Sequence, residues 1–468
     1  MALTKLRPLQ LQASLLYRGG AHQTVRTVQT SPQNSQAPSV EMLDFSDHKT
    51  VFKFKSTFDL FRSLSILRIC SINMFVDNAL PLMRRAEAVL GNKIFSAVAR
   101  PTFYRQFVGG DTEEELSKTC DLLRSSGLRL MVCPAMEEDE GEGSGDEKYD
   151  FNTEYIRDIG DMMVRAGAEK PCLQFKITAM MPADVVTKIS GMVGVEYSMK
   201  ELAELVQRKI IEGEAINLPQ LSGDENHQLN TGVDRLAGFG RAGVDKDLRL
   251  LVDAEYTYMN QGISVMALGM MLAFNTEKPV VWNTYQCYLK QALNTISSEM
   301  ALVTSMGCCF GAKIVRGAYM EKERKLAKMK GYEDPVNDTY EATGEMYNKV
   351  VDFMLNHIAT VGDACNIVCG THNEAGAIHV ARTLTQLGIK PGSGQVVFGQ
   401  IYGMADQISV PLAASGFTVY KSVPYGPLGE VLPYLSRRAA ENRTVLAGAR
   451  REQELLLKEI KRRATRQA

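Results

Sequence analysis

From residue 128 onward, short runs rich in apolar and β-branched residues alternate with longer stretches of helical character. The runs are 128–133, 172–178, 248–253, 280–285, 312–315, 366–370, 395–398 and 417–420. Runs that are apolar on both faces suit strands covered on both sides, as in parallel sheets. Eight such units in roughly 300 residues predict a distorted (βα)8 barrel of the TIM type. A doubly wound open sheet is the alternative.

The barrel is expected over 128–445. Residues 41–127 read as a mainly helical N-terminal arm, with amphipathic runs over 57–66 and 112–125. Two segments interrupt the barrel pattern and read as loop insertions. One is the acidic, glycine-rich run 137–150; the other is the polar, irregular run 213–243. A charged helix is expected over 446–468. Its basic end (KEIKRRATRQA) suits either solvent or an anionic membrane surface.

Residues 1–40 hold Lys5, Arg7, Arg18 and Arg26 and no acidic residue. That is the composition of a mitochondrial transit segment. The longest apolar run, 265–274, falls far short of the ~20 residues that span a bilayer, so any membrane contact is expected to be peripheral. A formal net charge of −1 argues against a nucleic-acid binder. Nine cysteines without a C-x-x-C pair fit a reduced compartment.

In a barrel of this kind chemistry sits at the C-terminal ends of the strands. The runs end there on Lys176, Asp253, Asn283 with Gln286, Lys313 with Arg316, Thr371 with His372, Gln400, and Lys421 with Ser422. Buried charges need partners, and the excess here is cationic. The implied ligand is anionic, a carboxylate, a phosphate or both. In the last barrel helix Tyr434, Arg437, Arg438 and Glu441 share one face, with Leu432, Leu435 and Ala439 opposite. Paired guanidiniums on such a face match the fork geometry of a carboxylate, though a solvated stripe has the same spacing.

Gly238, Gly240 and Gly243 spell G-x-G-x-x-G but lack the preceding strand that a nucleotide motif needs, so they read as loop glycines. His372 has no H-x-H or H-E-x-x-H companion, which leaves no metal site. Lys176 at a strand end also fits a Schiff-base lyase, and the basic C-terminal helix fits a non-enzymatic scaffold.

FKITA, VDAE, NTYQ, KIVRGAY, GTHN and YLSRRAAEN occur in the order found in the proline dehydrogenase family, which the chain resembles from about residue 45 to 460. The resemblance implies an FAD enzyme on a distorted (βα)8 barrel. It implies that Lys176, Arg437 and Arg438 hold a substrate carboxylate. Asp253, Ala318, Tyr319, Ile401 and Tyr434 would surround the substrate ring. Asn283, Gln286, Lys313, Arg316, Thr371, His372 and Glu441 would contact FAD. Met320 stands where bacterial members carry Trp, which removes one expected stacking partner of the flavin. The implied location is the mitochondrial matrix, and the implied electron acceptor is a membrane ubiquinone.

Ser422 departs from the proline-specific members, which resemble one another in having Tyr there. Serine leaves room beside the ring and offers a hydroxyl. The segment PYGP-x-x-EVLPYLSRR is similar to the hydroxyproline-oxidising branch of the family in animals. The resemblance therefore implies oxidation of trans-4-hydroxy-L-proline, with L-proline as the alternative substrate.

Overall fold

The computed structural model describes residues 43–136, 145–441 and 449–465, apart from the side chains of residues 440 and 441. The eight expected runs are eight parallel strands that close into one barrel in sequence order. They are β1 Arg129–Pro134, β2 Cys172–Phe175, β3 Arg249–Val252, β4 Val281–Gln286, β5 Phe310–Val315, β6 Cys365–Gly370, β7 Val396–Ile401 and β8 Val419–Tyr425. β8 pairs with β1, Ser422 standing opposite Met131. Closure leaves no unpaired strand edge and excludes the open-sheet alternative. β8 runs five residues past its expected end, so Lys421 and Ser422 belong to the strand itself.

Alternation of side chains stacks the inward residues in layers. The lower layer is apolar, with Met131, Cys172, Leu251, Trp282, Val397 and Tyr420 in one buried cluster. Gly311 makes space for the indole, since a Cβ there would stand 2.6 Å from Trp282 Cγ. Trp282 Nε1 donates to the Pro279 carbonyl at 2.9 Å, and the Tyr420 hydroxyl to that of Lys170 at 2.8 Å. The barrel is thus plugged at its lower end. The next inward positions, Gln174, Asp253, Thr284, Lys313 and Ser422, are polar and line a cleft.

The arm holds α1 His48–Phe52, α2 Thr57–Cys70, α3 Asn73–Asp77, α4 Ala79–Ala99 and α5 Arg105–Phe107, and α6 Glu113–Ser125 leads into β1. Between the strands come α7 Asp146–Arg165, α8 Ala183–Met192, α9 Met199–Glu212, α10 Gly223–Asp245, α11 Thr257–Phe274, α12 Ala292–Ser305, α13 Met320–Lys330, α14 Tyr340–Val361, α15 Glu374–Gln386 and α16 Asp406–Ala414. α17 Leu428–Glu441 and α18 Arg450–Ala464 follow β8. The expected transit segment lies outside the described residues.

Residues 213–243, expected to form a loop, are largely helix. Ser222 opens α10 with a capping box: its hydroxyl accepts from Glu225 N, and Glu225 accepts from Ser222 N. Leu229, Val233, Leu236 and Phe239 bury one face. The glycines that gave the segment its irregular look are packing positions. A Cβ on Gly240 would stand 1.9 Å from the Phe274 ring of α11, and one on Gly243 2.8 Å from Leu250 of β3. Of the acidic run, 137–144 lies outside the described residues, and Asp146 and Asp150 open α7 and bind Arg235 of α10 at 2.9 and 2.7 Å.

The apolar run 265–274 is part of α11, a core helix. Gly262 and Gly269 let it approach α8 and α9, where Cβ atoms would stand 2.3 Å from the Val186 carbonyl and 2.4 Å from Val206. Among the described residues no helix is long and apolar enough to cross a membrane. α18 is docked rather than solvated all round: Leu455, Leu456 and Ile460 share a second core with Phe52, Leu60 and Leu64 of the arm. Its basic end is used within the chain. Arg462 and Arg463 bind Glu459, and Arg463 also donates to the carbonyls of Lys55 and Phe52 at 2.8 and 2.9 Å.

Two helix glycines should respond in opposite directions. Gly262→Ala meets backbone and should lower stability by about 1–3 kcal/mol. Gly238→Ala has nothing within 4 Å and should raise it by about 0.5–1 kcal/mol. Urea midpoints of the two variants check this; a Gly262→Ala midpoint at or above the parent's would refute the close approach.

Candidate active site

The polar layer opens into a cleft of about 410 Å³ at the C-terminal ends of the strands. Its wall includes Asp253, Gln286, Lys313, Arg316, Ala318, Tyr319, Thr371, His372, Ile401, Ser422, Tyr434 and Arg438, all singled out from sequence. At its floor four side chains form one hydrogen-bonded chain. Lys313 Nζ donates to Asp253 Oδ1 at 2.5 Å and to Gln174 Oε1 at 2.6 Å. Gln174 Nε2 donates in turn to Ser422 Oγ at 2.7 Å. The Asp253 carboxylate balances an ammonium that would be costly to bury alone. Gln174 was missed from sequence. Its signal is parity: it lies two residues from the inward Cys172, on the same face of β2.

α17 crosses the mouth of the cleft. Val431, Leu432 and Tyr434 pack against Ala99, Tyr104, Val108 and Cys133, which fixes the helix over β1. Arg438 then lies between two rings, 5.3 Å from the centroid of Tyr434 and 5.5 Å from that of Tyr319. It donates to the Tyr319 hydroxyl at 3.0 Å. The Tyr434 hydroxyl is 3.2 Å from Cys133 Sγ. Burial pushes that thiol up to about 11, so it stays protonated. A guanidinium set over two aromatic rings and hydrogen-bonded to one of them is preorganised for a carboxylate.

Arg316 occupies the other end of the cleft. Its guanidinium lies over Tyr340 at 5.2 Å and Tyr347 at 5.6 Å. Gly344 and Gly376 leave it room: Cβ atoms there would stand 3.0 and 3.5 Å from its nitrogens. These glycines belong to the first turns of α14 and α15, capped by Thr339, which accepts from Ala342 N at 3.0 Å, and by Asn373, which accepts from Gly376 N at 2.7 Å. A fixed guanidinium beside two helix N-termini favours a phosphate-like anion.

Three expected site residues, Asn283, Lys176 and Arg437, stand apart from this wall. Asn283 faces outward from β4, where its amide meets Ser264 Oγ at 3.0 Å and Glu299 Oε2 at 3.2 Å. Trp282 and Thr284 hold the inward parity, so the expected FAD contact of Asn283 is not made by its side chain. Lys176 is buried just after β2 and is ion-paired with Glu255 at 3.5 Å, a partner the sequence reading did not name. An ammonium so paired is ill suited to attack as a free amine, which disfavours the lyase alternative. Arg437 is half-buried on α17 outside the cleft wall. The side chain of Glu441 lies outside the described residues. Gln286 lines the cleft but is tied, accepting from Asn260 at 2.8 Å and donating to the Glu255 carbonyl at 3.1 Å.

His372 and Asp253 make separate contacts. His372 Nε2 accepts from Ile401 N at 2.9 Å, which requires that nitrogen to be unprotonated. Burial and the nearby Lys421 push its pKa down to about 3, so the ring stays neutral at working pH. Among the described residues no cluster of three His, Cys, Asp or Glu could hold a metal.

Behind Ile401 the N-terminal arm and α18 meet in a buried ionic cluster. Asp406 binds Lys421 of β8 at 2.8 Å and Lys55 of the arm at 2.6 Å. Lys421 also donates to the Met404 carbonyl at 2.6 Å. Glu452 of α18 accepts from Ala405 N at 2.7 Å. Ala405 has φ 58°, a left-handed conformation costly for a non-glycine residue, and Glu452 holds it there. Burial alone would raise the Asp406 carboxyl, but the two ammoniums outweigh it and hold it well below 3.8.

Residues 116–451 match the model of the proline dehydrogenase family. The chain is 40% identical over 422 residues to hydroxyproline dehydrogenase of Xenopus laevis, covering 90% of each protein. It is 37% identical to hydroxyproline dehydrogenase of Homo sapiens, covering 88% of this chain and 92% of that one. With human mitochondrial proline dehydrogenase 1 the identity is 29%, over 91% and 90% of the two chains. Among solved structures, proline utilization A of Bdellovibrio bacteriovorus superposes with a TM-score of 0.57 at 19% identity. That match covers 84% of this chain and 38% of the longer one, and it shares the fold. The chain belongs to the proline dehydrogenase family, a family of flavoenzymes, and is a dehydrogenase.

The ionic cluster predicts an acid-sensitive contribution to stability. Asp406→Asn should cost about 3–5 kcal/mol at neutral pH, because two buried ammoniums lose their carboxylate. A carboxyl depressed in the folded state stabilises fully above its unfolded pKa. That contribution fades as pH falls below about 3.8, where the unfolded chain takes up a proton that the folded chain does not. The gap between parent and variant in urea midpoint should therefore be large at neutral pH and narrow in acid. A pH-independent gap would contradict the assignment.

Proposed function

We propose that the chain is an FAD-dependent dehydrogenase that oxidises trans-4-hydroxy-L-proline to 1-pyrroline-3-hydroxy-5-carboxylate, works in mitochondria and passes its electrons to ubiquinone. The observation that carries the substrate is the link between Ser422 and Gln174. A serine that accepts one hydrogen bond still has a hydrogen to donate and a lone pair to offer. It presents a held hydroxyl where a tyrosine would fill the space. The hydroxyproline dehydrogenases named above add support by their similarity.

The residues divide the substrate among them. Arg438 would take the carboxylate; Lys176 and Arg437, which the resemblance sets beside it, lie outside the cleft wall. Tyr319, Tyr434, Ile401 and Ala318 would enclose the ring, and Ser422 the 4-hydroxyl. Lys313 and Asp253 neutralise one another, so the carboxylate is drawn to the Arg438 end instead of the floor. α17, packed over the mouth, would shield the ring from water.

The cleft fits FAD in its donor set. Arg316 with the N-termini of α14 and α15 would hold the diphosphate. Thr371, His372, Gln286 and Lys313 line the path from there to the substrate end. FAD, when bound, supplies the two-electron acceptor for the hydride leaving C5. The chain's own work is to fix the ring, shield it and keep His372 neutral beside Ile401.

Making room for a hydroxyl is worth only about 1–3 kcal/mol, so some oxidation of L-proline is expected. Ser422→Tyr should lower the ratio of kcat/KM for hydroxyproline over proline by about tenfold or more. Steady-state kinetics with both substrates and a dye acceptor check this. An unchanged ratio would remove Ser422 as the selector and with it the preference for hydroxyproline.

A further inference from the structure

Among the described residues, 22 large apolar side chains are exposed, and 11 of them fall between Phe58 and Val98. Scattered apolar side chains are normal on a protein surface, but such a concentration is not. α2 shows the reason most clearly. Leu60, Leu64 and Leu67 bury one side of it in the second core. Phe58, Phe61 and Ile69 stand on the other side, at 68%, 52% and 37% exposure. A helix that is apolar on two sides has a second surface to cover.

α4, farther along the arm, is exposed over most of its length as well. Of its 21 residues only Ala99 is buried. Met83 and Phe95 lean on the cluster that carries Tyr434 and α17. Val89, Leu90, Ile94 and Val98 are exposed on either side of a break at Gly91, whose φ is 74°. The break lets two short apolar segments lie along one surface without a continuous helix axis.

Charge indicates what covers this face. Arg62 and Asp59 cancel as an ion pair at 2.7 Å. That leaves the exposed Arg68, Arg84, Arg85 and Lys93 against Asp77 and Glu87. Beyond residues 1–40 and 57–99, the chain carries 44 basic and 51 acidic residues, so this face is positive on an acidic protein. A second copy would bring like charge to like charge across a two-fold axis. The first forty residues, basic and without acid, would add to the charge and not balance it. Exposed apolar side chains interspersed along the segment with exposed arginine and lysine match an anionic lipid surface.

We infer that the outer face of α2 and α4 docks peripherally on an anionic bilayer, with α4 set directly behind the helix that covers the cleft. This rests on the quinone reading for its purpose, since a lipid-soluble acceptor is met at a membrane, and on the surface itself for its observations. The docking site is thus the arm and not the basic end of α18, whose arginines are engaged inside the chain.

The test is flotation of the flavin-loaded full chain with phosphatidylcholine vesicles, alone or mixed with phosphatidylglycerol. Binding is expected only with the mixed vesicles. Phe58→Ser with Phe61→Ser, and separately Arg84→Glu with Arg85→Glu, should each weaken it by about tenfold or more. Dye-linked activity should stay at the parent level, which also shows that the variants fold; if the phenylalanine pair fails to fold, the arginine pair carries the test. Lys458→Glu with Lys461→Glu on α18 should bind as the parent does. Equal binding to both vesicle types, undiminished binding by the arm variants, or loss in the α18 variant would overturn the inference. So would a dimer that the phenylalanine variant splits. Reduction of a short-chain quinone without vesicles tests the acceptor separately: its failure with docking intact rejects the quinone, and its success without docking rejects the surface.

Discussion

Closing eight parallel strands into a barrel sends every second side chain inward, and the interior is too narrow to leave any of them unpartnered. All else in this protein follows from that constraint. Below, the partners are apolar, and Trp282 fits because position 311 has no side chain. Above, they are polar, and the ammonium of Lys313 has to be met by Asp253 and Gln174. Ser422 joins the same chain of hydrogen bonds through Gln174. The group assigned to substrate choice is therefore fixed by the group that neutralises the floor, and neither can move alone.

The barrel does not hold its mouth by itself. β7 ends at Ile401, and the loop beyond it includes a strained alanine that Glu452 of the last helix secures. Lys55 reaches the same place from the arm, through Asp406. The arm and the last helix thus converge on one wall of the cleft. The other wall, α17, leans on α4. Both walls of the cleft depend on elements that are remote in sequence and contribute no strand.

Much of this was legible in the residues. The eight strands announced themselves by length and apolar character, and their ends gave most of the cleft wall. What failed did so for definable reasons. Segment 213–243 looked irregular because its glycines were read as freedom, whereas Gly240 and Gly243 are closeness. Asn283 was placed in the site by motif, but the two-residue period of a strand points it outward. Gln174 and Glu255 were overlooked because neither ends a strand run; both are defined by the charge they satisfy. The docking of α18 was not legible because what it meets, the apolar side of α2 and the carbonyls of Phe52 and Lys55, is remote in sequence.

In the proposed function this cleft joins a flavin to a hydroxylated imino acid. Its most direct test is an anaerobic titration of the FAD-loaded protein with trans-4-hydroxy-L-proline and with L-proline, following flavin absorbance. Hydroxyproline should bleach the flavin at lower concentration and faster than proline. Bleaching by proline alone would contradict the substrate, and a protein that takes up no FAD would contradict the site.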